Sequence, residues 1–322
     1  MRSLISVENL TKRFGRKTVV DGLTFQARPG VVTGFLGPNG AGKSTTMRLI
    51  VGLAEPDAGT ALVEGKPYRD LADPCGTVGA LLDAGWVRPN LTARTHLRWL
   101  AALTRTPPGR ADELLEAVGL AEVAGRRVGG FSLGMRQRLG IATALLGSPR
   151  VLLLDEPMNG LDPEGIHWIR RFLRQAAADG RTVLVSSHLL AEMALTADEV
   201  VVIGAGRLIA QAPTRTFVEE ATRSRVIVRA PEARRLAALL TGAGFDVREE
   251  PPGTLAVTGA NTARVGALAA QHDVELHELR TDHGSLEDAF MEMTRKATEY
   301  RAAPPSGGQL TEQPAEPLGP GR

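Results

Sequence analysis

The sequence predicts an α/β protein: a mostly parallel sheet covered by helices, followed by a small α+β domain and a polar tail. Three observations predict it. Short apolar β-branched runs alternate with helical periodicities as far as residue 218. The pattern changes to β-α-β-β-α-β near residue 220. From Arg301 the chain is rich in Pro, Gly, Gln and Glu. A length of 322 residues suits about two domains.

Along the chain, Ser6–Leu10 and Thr60–Lys66 read as antiparallel strands, the second ending in a Glu64-Gly65 turn signal. Val31–Leu36, Val151–Leu154, Val183–Val185 and Val200–Ile203 are continuous apolar runs, as expected of strands buried on both faces. Helical patterns fall between them at Lys43–Leu53, Thr92–Leu103, Asp112–Val118, Met135–Leu146 and Pro163–Ala178. These elements define a first unit, residues 3–218. A second unit, residues 224–297, begins with a strand at Ser224–Arg229 and a helix at Glu232–Thr241. It continues with a hairpin, Phe245–Glu250 and Thr254–Thr258, across Pro251-Pro252-Gly253. A helix at Thr262–His272 and a strand at Val274–Leu279 complete a split βαβ order. Ser285–Lys296 reads as a further helix, with Ser285 as N-cap and Glu287 and Asp288 in its first turn. Residues 301–322 hold too little apolar surface to order themselves and are expected to be a disordered tail.

Composition excludes several classes. Lys+Arg total 38 against Asp+Glu 36, a net charge of +2, so nothing draws the whole chain to nucleic acid or acidic lipid. Cys75 is the one cysteine, which rules out an intrachain disulfide or a cysteine metal cluster and suits a reducing compartment. The first ten residues lack the apolar stretch of a secretory leader. The longest charge-free run, Pro29–Gly42, is glycine-rich and broken by Pro38, whereas a spanning helix needs about 20 apolar residues. The chain is therefore not expected to cross a membrane by itself.

The sharpest chemical signal is Gly37-Pro38-Asn39-Gly40-Ala41-Gly42-Lys43-Ser44-Thr45, which satisfies G-x-x-x-x-G-K-[ST] between a strand and a helix. Its glycines let the backbone wrap a phosphate and turn several N–H groups inward, and the helix N-terminus adds partial positive charge. Lys43 is placed to meet β and γ phosphate oxygens, and the Ser44 hydroxyl to hold Mg²⁺. The second half of the site is Val151–Leu154 followed by Asp155 and Glu156. Two carboxylates at the end of a buried strand stand where open α/β sheets bind ligands. Asp155 is expected near the Mg²⁺ shell and Glu156 at the attacking water as general base.

These motifs, in this order, resemble the nucleotide-binding domain of ATP-binding cassette (ABC) proteins over about residues 3–218. Phe131-Ser132-Leu133-Gly134-Met135-Arg136-Gln137-Arg138 resembles the ABC signature. Asp155-Glu156-Pro157 runs into Asn159-Gly160-Leu161-Asp162-Pro163, similar to the family's D-loop. His188, after Ser186-Ser187, is placed like the switch histidine that supports catalysis beside Glu156. Phe14 is placed like the aromatic that stacks on adenine. The family signature usually reads Leu-Ser-Gly-Gly-Gln. Here Leu133 replaces the first Gly and Met135 the Gln, while the phosphate-facing Ser132 and Gly134 remain. At the Q-loop position, within Val78–Gly85, Asp83 stands where a glutamine is usual. A carboxylate can meet Mg²⁺ or its water, but when ionised it cannot donate a hydrogen bond.

The resemblance implies a P-loop NTPase cassette fold with a helical signature region, binding ATP and Mg²⁺. It implies dimers in which each ATP lies between the phosphate loop of one cassette and Ser132 and Gly134 of another. The implied function is an ATPase subunit at the cytoplasmic face of the membrane, with the transport path on separate multi-span subunits docking near Asp83–Thr95 and no nucleic-acid partner. Ser285-Leu286-Glu287-Asp288-Ala289-Phe290 looks like the end of cassettes from bacterial export systems, which points to efflux of a drug, antibiotic or lipid-like compound. The alternative is a soluble regulatory, translation-type or repair-type cassette ATPase without a membrane partner. Translation-type members usually carry two cassettes, however, and repair members need coiled coils or zinc modules that are not visible here.

Overall fold

Three sheets organise the computed structural model, which describes residues 4–83, 87–104, 106–107, 109–221, 225–250 and 253–282. The chain starts with a hairpin of Ile5–Phe14 (β1) and Lys17–Ala27 (β2), then Val32–Leu36 (β3), the helix Lys43–Ile50 (α1) and Ala58–Val63 (β4). β1 pairs antiparallel with both β2 and β4. After β4, Glu64 and Gly65 take φ of 53° and 78°. That left-handed pair is what a two-residue hairpin turn demands, and Val63 bridges Lys66 across it.

Pro74–Thr77 (α2) leads into Val78–Leu81 (β5). The helices Ala93–Leu103 (α3), Arg110–Ala117 (α4) and Leu133–Ala144 (α5) follow. Then come Val151–Leu154 (β6), Pro163–Ala178 (α6), Thr182–Ser187 (β7), Leu190–Ala194 (α7), Glu199–Gly204 (β8), Arg207–Pro213 (β9) and Thr214–Ala221 (α8). The central sheet has the order β5-β6-β7-β3-β8-β9. Its strands run parallel except β9, which pairs antiparallel with β8.

Period-two geometry sorts the apolar runs into two cores. Val151, Leu153 and Leu184 pack with Phe25, Phe35, Met47 and Ile50 toward α1 and the antiparallel sheet. Leu152, Leu154 and Val185 pack with Leu97, Leu115, Leu139, Ile169 and Leu173 of the helices. β3, β6, β7 and β8 are buried along their full length, as cover on both faces requires.

The C-terminal elements are Arg225–Arg229 (β10), Ala233–Gly242 (α9), Asp246–Glu249 (β11), Thr254–Thr258 (β12), Thr262–Gln271 (α10) and Glu278–Asp282 (β13). They form an antiparallel sheet in the order β11-β12-β10-β13 with its own core of Val226, Val228, Leu236, Leu240, Leu255, Val257 and Val265. The order of elements is the expected one, but the last strand sits further along than Val274–Leu279. Val274 is buried in this core, yet its N–H donates to the Ala269 carbonyl (2.9 Å) and closes the end of α10. β13 is fixed instead by its pairing with β10, from Arg229↔Glu278 to Arg225↔Asp282. The helix expected at Ser285–Lys296, the tail at residues 301–322, and Ala84, Gly85, Pro251 and Pro252 lie outside the described residues. Among the described residues no helix is long and apolar enough to cross a membrane.

Candidate nucleotide site

Between β3 and α1 the chain passes through close-packed backbone. Gly40 and Gly42 have φ of 80° and 105°. A methyl group on Gly42 would lie 2.7 Å from the Val19 carbonyl oxygen, and one on Gly37 2.6 Å from that of Ile203. Backbone from β2 and β8 thus presses on the loop, and glycine alone fits there. The loop closes on itself through Ala41 N–H to the Pro38 carbonyl (3.1 Å). Lys43, the first residue of α1, is only 6% exposed. Its Nζ donates to the carbonyls of Gly37 (2.6 Å) and Pro38 (3.3 Å) and lies 3.3 Å from Glu156 Oε1. Asn39, Gly40, Gly42, Lys43, Ser44, Thr45 and Glu156 line one pocket, with Val19 at its wall. No acidic residue occupies the first turn of α1, so within the helix nothing offsets the partial positive charge of its free amides, and Glu156 is the carboxylate that lines the pocket with them.

β6 delivers Asp155 and Glu156 to the same edge. Glu156 has a φ of 46°, and its N–H donates to Ser186 Oγ (2.9 Å). The same hydroxyl donates to Asp155 Oδ1 (2.5 Å). One serine at the end of β7 therefore fixes both acidic residues. Glu156 Oε2 is 2.8 Å from His188 Nδ1 while Oε1 faces Lys43, so the carboxylate bridges the two. The sheet order β6-β7-β3 explains the convergence. Glu156, His188 and the phosphate loop follow three adjacent parallel strands at their carboxyl ends. A carboxylate aimed into a phosphate pocket and oriented by a histidine can accept a proton from water.

Ser186 was not singled out as a site residue by the sequence reading. The signal was a pair of serines closing a strand buried throughout, because a buried hydroxyl requires a partner.

The remaining predicted residues lie outside this pocket. Ser132 caps α5, its Oγ accepting from Met135 N–H (3.2 Å), with Gly134 in the first turn. Phe14 ends β1, is 55% exposed, and has Lys12 Nζ 5.5 Å above its ring centre. Asp83 lines a separate groove with Arg48, Leu53, Tyr68 and Leu82. Among the described residues no three His, Cys, Asp or Glu side chains gather as a metal cage. The pocket lining instead offers the hydroxyls of Ser44 and Thr45 and the carboxylate of Glu156, with Asp155 the residue before it at the end of β6. That donor set fits Mg²⁺, which binds through one or two protein oxygens together with phosphate oxygens and water.

Comparison with known proteins gives the same reading. Residues 20–159 match the family model described as ABC transporter, and residues 224–287 match one described as a domain of unknown function. The chain is 33% identical to the bacitracin transport ATP-binding protein BcrA of Bacillus licheniformis, over 91% of this chain and 98% of that protein. It is 41% identical to the Nod factor export ATP-binding protein I of Ralstonia nicotianae, over 65% of this chain and 66% of that protein. A solved ATP-binding subunit of an ABC transporter superposes with a TM-score of 0.61 at 28% identity, covering 68% of this chain and 93% of that one. With its phosphate loop, paired acidic residues and relatives of nearly equal length, this chain belongs to the ATP-binding proteins of the ABC transporter family.

Proposed function

We propose that this chain hydrolyses Mg²⁺-ATP between two paired copies and so drives an exporter whose pathway lies on separate multi-span membrane subunits. The observation that carries the catalytic part is the chain of contacts Lys43–Glu156–His188 beside the glycine loop. In this reading Lys43 turns from the carbonyls of Gly37 and Pro38 toward the β and γ oxygens of ATP. Glu156, released from Lys43, accepts the proton of the attacking water, and His188 holds its carboxylate in line. The loop amides of Gly37–Thr45 carry the phosphate charge. Mg²⁺, held by Ser44 and by Asp155 directly or through water, would supply neutralisation of the phosphate oxygens. Asp83 enters the metal shell in this proposal through the family resemblance rather than through proximity.

Phe14 supplies an exposed ring for the adenine. Ser132 and Gly134 of a second copy close over the γ-phosphate, using the N-terminus of α5 as an anion site. Export follows the printed role of the Nod factor relative, an antibiotic-type cargo follows that of BcrA, and a place at the cytoplasmic face of the membrane follows from the family resemblance.

The test uses purified protein. Glu156→Gln keeps ATP binding, lowers turnover by roughly 10²–10⁴-fold, the usual loss when a general base is removed, and traps a dimer with ATP. Turnover equal to wild type in that variant overturns the assignment. Co-purification with a polypeptide bearing several apolar segments of about 20 residues each supports the transport half. A homodimer that takes up no such partner on co-expression with one overturns it.

A further inference from the structure

Leu133, one of the two residues that depart from the family signature, has a definite seat. It opens α5 and is 46% exposed. Its Cδ2 lies so close over Gly160 that a methyl group added there would stand 2.3 Å away. Gly160 has a φ of 70°, a backbone conformation that favours glycine whatever the space around it. The next residue returns the contact: a methyl group on Gly134 would lie 3.2 Å from Leu161 Cδ2. Each segment thus presents a leucine and a glycine, Leu133-Gly134 on α5 and Gly160-Leu161 on the loop after β6. Each leucine sits over the other segment's glycine.

Both segments are anchored away from this contact. On one side Phe131 is buried and Ser132 caps α5. On the other, Met158 is buried in the helical core and Asp162 caps α6 by accepting from Gly165 N–H (2.9 Å). From Glu156 onward the loop is a succession of turns. Asn159 N–H donates to the Glu156 carbonyl (3.1 Å) and Leu161 N–H to the Met158 carbonyl (3.3 Å). Two successive turn hydrogen bonds therefore connect Glu156 with Leu161 through the loop backbone.

We propose that this reciprocal leucine–glycine interlock ties Glu156 to the signature turn of its own chain, and that Leu133 is a positioning residue for hydrolysis. It sets the orientation of Ser132 and Gly134 toward the nucleotide held by a second copy. The proposal rests on the two-copy ATPase reading above. A glycine at 133 would leave the space over Gly160 empty and uncouple the two segments. Leu133 and Gly160 do not themselves line the phosphate pocket of their chain, so the interlock acts on turnover between two copies and not on the first loading of nucleotide into one.

The experiment compares full-length wild type with Leu133→Ala, Gly160→Ala, the double variant and Leu133→Met. It measures kcat and KM for Mg²⁺-ATP, melting temperature, and ADP affinity by calorimetry, which reads loading of one chain without closure of two. Leu133→Ala and Gly160→Ala each lower kcat about tenfold with KM changed less than about twofold, the pattern of an interaction made in the transition state. The double variant falls no further than the worse single one, since both break the same contact. Leu133→Met, which refills the space, keeps at least about half of kcat. A wild-type kcat in Leu133→Ala, a multiplicative loss of about a hundredfold in the double variant, or a parallel loss of ADP affinity overturns the interlock. Wild type without ATPase activity would overturn the underlying reading and this proposal with it. An active wild type beside an indifferent Leu133→Ala overturns the interlock alone.

Discussion

Lys43 is enclosed by two loop carbonyls and the carboxylate of Glu156, whereas Leu133 at the signature turn lies half open to solvent over a glycine of the neighbouring loop. The first region is shaped by backbone pressing on backbone: the carbonyls of Val19 and Ile203 leave no room for a methyl group at Gly42 or Gly37. The second is shaped by the flexible ends of side chains. Its capping serine is satisfied locally by Met135 N–H, and its apolar contact is shared between two surface segments. The glycine-loop end is thus held by backbone against backbone, whereas the signature turn is held by side chains, chiefly Leu133 on Gly160 and Leu161 on Gly134.

Lys43→Ala should break the comparison most visibly. Removing the charge at the centre of the preorganised pocket is expected to lower kcat by about 10³-fold and to weaken ATP binding, read by a coupled phosphate-release assay and calorimetry. Next come two glycine substitutions made in parallel. Gly42→Ala meets a fixed carbonyl at a positive φ and should cost about 3 kcal/mol of stability. Gly134→Ala meets the mobile end of Leu161 and should cost under about 1 kcal/mol. Equal costs in urea unfolding would show that the two ends do not differ in rigidity.

Ser186→Ala takes a hydroxyl from both Asp155 and the Glu156 N–H. About 1–2 kcal/mol of lost orientation, or roughly a tenfold fall in kcat, is expected from unanswered partners. The smallest effect belongs to the helical layer that carries the signature. Burial holds His96, on α3, below its ordinary pKa of 6.5, so the folded chain keeps it neutral. The unfolded chain takes up that proton first as pH falls. Stability is therefore full above about pH 6.5 and declines as pH drops below it toward the folded value. His96→Gln should flatten that part of the melting-temperature profile while leaving the pH 8 value nearly unchanged.

How much of this was legible in the sequence depends on what held each element. β6 at Val151–Leu154, α6 at Pro163–Ala178 and β12 at Thr254–Thr258 coincide with the expected ranges. The first is a continuous apolar run, the second carries an Asp162 cap and Pro163 at its start, and the third a Gly253 turn before it. β2, β5 and β9 were not read as strands. β2 is interrupted by Asp21-Gly22, and in β9 the apolar run Leu208-Ile209-Ala210 is cut short by Gln211 and ends in Pro213, so neither shows a long continuous run. Val78–Leu81 was read only as the stretch leading to the Q-loop, yet its pairing with β6 makes it a strand.

In the site, Gly37–Thr45, Asp155 and Glu156 were visible because phosphate chemistry requires particular residue types at fixed spacing along a strand–loop–helix unit. His188 was placed by resemblance, and its contact with Glu156 comes from β6 and β7 lying side by side. The sequence by itself determined the parallel core, the phosphate loop and its acidic partners, because period, glycine and charge are local properties. Only the tertiary structure decided that Ser186 clamps both acids, that Asp83 faces a different groove, and that Leu133 rests on Gly160. Ser186 stands 30 and 31 positions from the two acids it contacts, and the groove of Asp83 and the seat of Leu133 likewise draw on separate elements. Strand order and loop packing, which no single segment encodes, bring them together.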